Sequence, residues 1–307
     1  MNKYLISADN PYTEFAGQNK IEDATKDKFG NAEGNQYDLV KDGAFNGLQI
    51  SVLQLYTASD FDFSEPTKAL SEKGFSIVIW ANTPPSIDEF KKQLEKSCQL
   101  WIIADKIKKL TEEYIEIIKA FFDKGHGLYI WGDNDPFYAD ANVIAQRLFN
   151  TTMQGCLQGE QTIKIQTTAN KRGFIPNHQI TTGLEFIYEG VTIATIQPNN
   201  VLQPLLFGSA NNLVSAIYNK GGKRAILDGG FTRLYVNWHT AGTGRYVKNA
   251  SSWLVNYERF AKDSIQTKQV VSNDLVASIS NKFDKTETKV QLQKIIKLNS
   301  EDIISKF

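Results

Sequence analysis

Three short segments carry the residue types that could act on a ligand. Gly132-Asp133-Asn134-Asp135-Pro136 follows one apolar run, and Asp228-Gly229-Gly230-Phe231-Thr232-Arg233 follows another. His239-Thr240-Ala241-Gly242-Thr243-Gly244-Arg245 opens a helical pattern. Asp133, Asp135 and Asp228 could gather round a hard cation, which takes clustered carboxylate oxygens. The Asp60-Phe61-Asp62 pair could add ligands, although solvated loop acids are the commoner role. Arg233, His239 and Arg245 offer positive charge and donors instead, and Gly242 and Gly244 leave backbone N–H groups open at a helix start, which suits an anion. Gly229 and Asn134 complete the candidate ligand-binding set. As an enzyme this set would be a metal- or anion-dependent hydrolase working in a crevice of Asp133, Asp228 and His239.

Each segment has a plainer reading. Asp135 before Pro136 fits a helix N-cap with proline at the first helical position, and Thr243 fits the cap of the last helix. Gly229-Gly230 fits a tight turn. The acids do not have EF-hand spacing, and no Gly-x-Ser-x-Gly elbow is present for a serine hydrolase. No cofactor is expected.

The elements that must position these residues alternate. Leu48–Tyr56, Phe75–Trp80, Leu100–Ala104 and Gly127–Trp131 read as apolar strands. Ser86-Ile87-Asp88-Glu89 is a capping box opening a helix with Ile87, Phe90 and Leu94 on one face. Thr111 opens another, bearing Tyr114, Ile117, Ile118 and Phe121 and stopped at Gly125. A third carries Ala139, Val143, Ala145 and Leu148. This is the pattern of an α/β protein: a mostly parallel central sheet with helices on both faces. Ligands bind such sheets at the carboxyl ends of the strands. After residue 150 successive strands, partly antiparallel, are expected at Ile163–Thr167, Phe186–Ile196, Leu202–Phe207, Leu213–Asn219 and Arg224–Asp228, then a helix over Arg245–Phe260. Asn219-Lys220-Gly221-Gly222 reads as a hairpin turn. The expected organisation is an arm over 1–46, the α/β domain over 47–260, and a polar tail or helical appendage over 261–307.

Hydrophobic residues at 41% and charged residues at 22% are ordinary for a globular chain. The 34 basic and 34 acidic residues cancel, which leaves no electrostatic footprint for nucleic acid or an anionic membrane. Two cysteines, Cys98 and Cys156, with no signal peptide's apolar core and no spanning run, lead to a cytoplasmic expectation with both thiols reduced. The tail is expected to engage a protein partner or to self-associate.

Helix Glu112–Lys124, strand Gly127–Trp131 and the turn that follows resemble the strand-to-helix elbow of the class I glutamine amidotransferase-like superfold. Its non-amidotransferase branches are the nearer likeness: ThuA-like proteins and the amidotransferase-like domain of an intraflagellar transport protein. Asn177-His178-Gln179-Ile180-Thr181-Thr182-Gly183 resembles the His-Pro-Ile-x-x-Gly segment of ThuA-like chains, with Gln179 in place of proline. Gly221–Gly229 resembles their closing strand, with a terminal helix after it. The resemblance implies the fold, and its departures bear on the chemistry. Where the amidotransferase Gly-x-Cys-x-Gly places its nucleophile, this chain has Asn134, which cannot form a thioester. Trp238-His239 is followed by Thr240-Ala241 where the family has Pro-Glu. His178 is expected to fix a turn. The leading expectation is therefore a non-catalytic binding or scaffold module; a sugar-related protein of ThuA type is a third reading.

Overall fold

The structure is a computed structural model that describes residues 24–57 and 61–257. Residues 1–23 of the expected arm, Asp60, the expected helix end at 260 and all of 261–307 lie outside the described residues. The chain divides into two compact units, Met1–Asn256 and Tyr257–Phe307, and the described strands and helices all belong to the first.

In chain order the elements are β1 (Gln49–Gln54), α1 (Ser64–Glu72), β2 (Ser76–Ala81), α2 (Ile87–Leu94), β3 (Gln99–Ile103), α3 (Glu112–Asp123), β4 (Gly127–Trp131) and α4 (Ala139–Phe149). Then come β5 (Met153–Gln158), β6 (Thr162–Lys164), β7 (Gly173–Phe174), β8 (Phe186–Tyr188), β9 (Thr192–Ile196), β10 (Gln203–Phe207), β11 (Leu213–Lys220), β12 (Lys223–Asp228) and α5 (Thr243–Leu254). The main sheet has eight strands in the order β2-β1-β3-β4-β12-β11-β10-β7. Strands β2, β1, β3, β4 and β12 are parallel, and β11, β10 and β7 extend the sheet antiparallel. Two antiparallel pairs, β5 with β9 and β6 with β8, stand apart from it. The protein is an α/β fold with a mostly parallel sheet covered on both faces.

Strands β3 and β4 are apolar but for Gln99 because each residue of both is buried. Alternate side chains point to opposite faces. Trp101, Ile103, Tyr129 and Trp131 therefore meet α1 and α5, whereas Leu100, Ile102, Leu128 and Ile130 meet α2, α3 and α4. The sheet ends on the other side at β2, whose residues are only half-covered and where Ile79 is exposed.

Ser86 caps α2 as read, its hydroxyl accepting the Glu89 N–H at 3.3 Å, while the Glu89 carboxylate accepts the Trp80 indole N–H at 2.9 Å. Gly221 and Gly222 turn β11 into β12 with φ of 61° and 70°. Several expectations need correction. Asp135 does not cap α4: that helix starts three residues after Pro136, and Asp135 instead accepts the Tyr138 hydroxyl at 2.6 Å. Nor does the Thr243 hydroxyl cap α5, since it turns back to the Thr240 carbonyl. Phe186–Ile196 is two strands, because Gly190 at φ 122° breaks the run and β8 and β9 take different partners. Helix α1 and strand β5 were not expected. Pro66 conceals α1 in the sequence, yet it lies in the first helical turn, where a missing N–H leaves nothing unpaired.

Candidate functional site

Strands β4 and β12 are neighbours, so the turns leaving their carboxyl ends must meet. They do: the Gly132 N–H bonds the Asp228 carbonyl at 2.9 Å, and the Phe231 N–H bonds the Gly132 carbonyl at 3.2 Å. Asn134 joins this corner to β9 by accepting the Thr192 hydroxyl at 2.7 Å. Gly229 lies against Ala194, and its carbonyl accepts the Ala194 N–H.

The corner is closed. Asp228 and Arg233 have no solvent exposure and pair with each other at 2.8 Å. The Asp228 carboxylate also accepts the Gly230 N–H and the Tyr246 hydroxyl of α5 at 2.9 Å, while Arg233 donates to the carbonyls of Gly230 and Glu189. Burial works against the Arg233 charge, and the facing Asp228 carboxylate overrides it, so the guanidinium stays protonated. A Cβ at Gly230 would collide with the Arg233 guanidinium, so this turn needs glycine. Asp133 is 4% exposed, and burial pushes its carboxyl up to about 7 against the pull of the Asn134 N–H, the Thr192 hydroxyl and Arg233. Asp133 Oδ1, Trp131 Nε1, Arg233 Nη1 and Glu189 Oε1 are buried with no hydrogen-bond partner among the described residues. Over the strand ends Tyr56, Phe61, Phe137, Phe231 and Tyr235 make edge and tilted ring contacts.

The third segment lies elsewhere. Its Ala241 carbonyl accepts the Tyr188 N–H, and His239, Gly242, Gly244 and Arg245 line a cavity of about 380 Å³ with arm residues 27–38 and helix α1. Asp133, Asp228 and Arg233 do not line this cavity. The crevice of Asp133, Asp228 and His239 is thus not assembled: Asp228 is sealed on Arg233, and His239 is exposed, 3.9 Å from Glu65. No cation site forms from Asp133, Asp135 and Asp228, and among the described residues no group of three or more His, Cys, Asp or Glu could hold a metal ion.

Arg245 is not free to receive an anion either. Its Nε meets Asp38 at 2.7 Å, Nη1 bonds the Ala32 and Gly183 carbonyls, and Nη2 bonds the Gly34 carbonyl at 2.8 Å. Asp38, fully buried, also holds Lys73 at 2.9 Å and Lys248 at 2.8 Å. Burial pushes the Asp38 carboxyl up, but Lys248, Lys73 and Arg245 outweigh it and hold the pKa below the usual range. Sequence reasoning missed Asp38 and Glu189. The signal for each was a lone acid inside an apolar run, Asp38 before Leu39-Val40 and Glu189 after Ile187-Tyr188. His178 fixes a turn, as expected, with Nδ1 accepting the Ile180 N–H at 3.2 Å.

Neither sulfur belongs to the β4 turn. Cys98 precedes β3, at the amino end of a strand parallel to β4, and burial pushes its thiol up to about 12. Cys156 is exposed on β5, beside Gly155, whose carbonyl accepts the Asp135 N–H.

No family model matches the chain, and no curated protein does. Among solved structures it is similar to a GMP synthase subunit protein of Thermoplasma acidophilum (11% identity, 71% of this chain and 98% of that one, TM-score 0.46). It is also similar to ThuA-like proteins of Parabacteroides merdae (10%, 68% and 90%, TM-score 0.47) and Bacteroides uniformis (10%, 68% and 91%, TM-score 0.45). No helix among the described residues is long and apolar enough to cross a membrane.

Proposed function

We propose that this chain is a non-catalytic module of amidotransferase-like architecture that works by binding a protein partner. One observation carries the reading. The turn after β4, where that architecture would hold its nucleophile, presents Asn134, whose amide is tied to Thr192 and to the Asp135 backbone. An amide cannot form a thioester, and neither cysteine occupies that turn. The Asp228–Arg233 pair supports the same reading, since charges sealed from solvent and matched to each other are not presented to a substrate.

The test has two parts. The full chain, incubated with glutamine, is expected to release no ammonia above buffer; release abolished by Cys98→Ser or Cys156→Ser would overturn the non-catalytic part. Light scattering of the full chain against one ending at Asn256 measures association through the tail. The same association state for both chains, with equal capture of protein from native extract, would overturn the tail's binding role.

A further inference from the structure

The eight-stranded sheet ends differently on its two sides. On one it closes with β7, only two residues long, and the strand before it, β10, carries Pro204 and two register shifts against β11. Short strands, prolines and bulges are the devices that stop an edge from recruiting another chain. On the other side β2 has none of them. It is six residues long, Ser76-Ile77-Val78-Ile79-Trp80-Ala81, without charge, proline or glycine. It follows β1 in unbroken register, from Ser76 opposite Gln49 to Ala81 opposite Gln54, and no described strand lies beyond it.

The bonds to β1 show which backbone groups face outward. The Ser76 N–H bonds the Leu48 carbonyl at 3.0 Å and the Asn82 N–H bonds the Gln54 carbonyl at 2.7 Å, so the even-numbered residues turn to β1. Alternation then turns Ile77, Ile79 and Ala81 outward. Among the described residues only the Ala81 carbonyl of this set has a partner, the Thr83 N–H at 2.9 Å. The outward groups are spaced evenly about Ile79, which makes the edge complementary to itself read backwards. A two-fold axis through Ile79 lets that residue exchange both its bonds with Ile79 of a second copy, and the Ile77 carbonyl takes the second copy's Ala81 N–H. The side chains match in the same register. Ile79, 38% exposed, meets itself, and Val78 lies opposite the half-buried Trp80, a β-branched residue against an aromatic. The neighbouring charges agree as well. Helix α2 sits on β2 through the Trp80–Phe90 ring contact and the Trp80 indole bond to Glu89. It opens with Asp88 and Glu89 and ends among Lys91, Lys92 and Lys96, with Glu95 the one acid there. The axis runs the two α2 helices antiparallel, so the acidic end of each faces the basic end of the other.

We propose that β2 is a dimerisation edge: two copies of this chain pair antiparallel through it, about a two-fold axis at Ile79, into one continuous sheet. This goes beyond the reading above and does not rest on it. Strand β2 precedes the β4 turn and lies within the first compact unit, so a tail without a binding role would leave the edge intact.

Sedimentation of the full chain over a range of concentrations tests it, and a reversible dimer is expected. Ile79→Lys sets two ammonium groups against each other on the axis and is expected to raise the dimer dissociation constant about tenfold or more. Ile79→Val keeps an apolar β-branched residue there and is expected to hold the constant within about twofold. Because Ile79 is exposed, both variants should unfold close to the midpoint of the parent chain. Cross-linking gives a second measurement. Cys98 is buried and Cys156 exposed, so in a Cys156→Ser background Ile79→Cys supplies the accessible thiol. A short bismaleimide is expected to link two such chains, since the pairing brings their Cα atoms to about 5.5 Å. A full chain that stays monomeric, association that Ile79→Lys leaves unchanged, or the absence of a cross-link at position 79 would overturn the proposal.

Discussion

The corner between β4 and β12 and the start of α5 both collect charged side chains and glycine turns, yet one is sealed and the other open. At the first, Arg233 and Asp228 neutralise each other without solvent, and the tight Gly230 turn is shaped around the guanidinium. At the second, Arg245 is equally engaged, but all its partners except the Gly183 carbonyl belong to the arm, and the cavity beside it stays accessible. The difference lies in where the partner comes from. A charge matched within its own turn closes the site, whereas one matched by a distant segment leaves a space between the two.

The largest expected effect breaks the sealed side. Arg233→Met leaves Asp228 buried without its cation and should cost about 3–5 kcal/mol in denaturant unfolding. Arg233→Met combined with Asp228→Asn should cost much less than the sum, and simple additivity would mean that the two do not act as a pair. Trp131→Ala, which empties core space between the sheet and α5, should cost a similar 3–5 kcal/mol. Next comes the pH response of Asp133. Its folded pKa of about 7 lies above the ordinary 3.8, so the folded protein holds a proton that the unfolded chain has released. The stability this gives is fully present below pH 3.8 and is lost as pH rises to about 7, at up to about 1.4 kcal/mol per unit. Asp133→Asn should flatten that slope in unfolding midpoints measured from pH 4 to 8, roughly the same window; an unchanged slope would place the titration elsewhere. The smallest effect belongs to the open side, where His239→Ala should change stability by less than about 0.5 kcal/mol because the ring is exposed.

The central sheet was legible because β3 and β4 are buried on both faces, which forces near-continuous apolar runs at strand length. Which helix covers which face was not. Trp131 reads as core, but the helices whose starts the sequence marks at Ser86 and Thr111 cover the opposite face, and α1, hidden by Pro66, lies on its own side. The site residues were legible as types and not as groups. Arg233 and Arg245 look alike in sequence, and what separates them is the identity of their partners, Asp228 five residues away and Asp38 more than two hundred away. Only the first pairing could have been guessed from spacing. Asp38 gave no more than a lone acid among apolar neighbours, and the three cations it gathers come from the end of α1 and from α5.

That gathering has a consequence for the chain as a polymer. Asp38 is clasped by Lys73, Lys248 and Arg245, and Arg245 also grips the backbone at Ala32 and Gly34. Leu39 is held too, its N–H bonded to the Asn249 side chain at 2.7 Å. None of these bonds depends on the peptide continuing through Gly43-Ala44-Phe45-Asn46-Gly47. A nick in that turn should therefore leave the arm in place, and a synthetic peptide of residues 1–46 should restore the unfolding midpoint of a chain begun at Leu48. Because the clasp is buried, added salt should loosen this reunion only slightly. A peptide carrying Asp38→Asn should bind far more weakly, since the three cations lose their shared buried carboxylate, leaving Lys73 only Asp42 and Lys248 only Glu72.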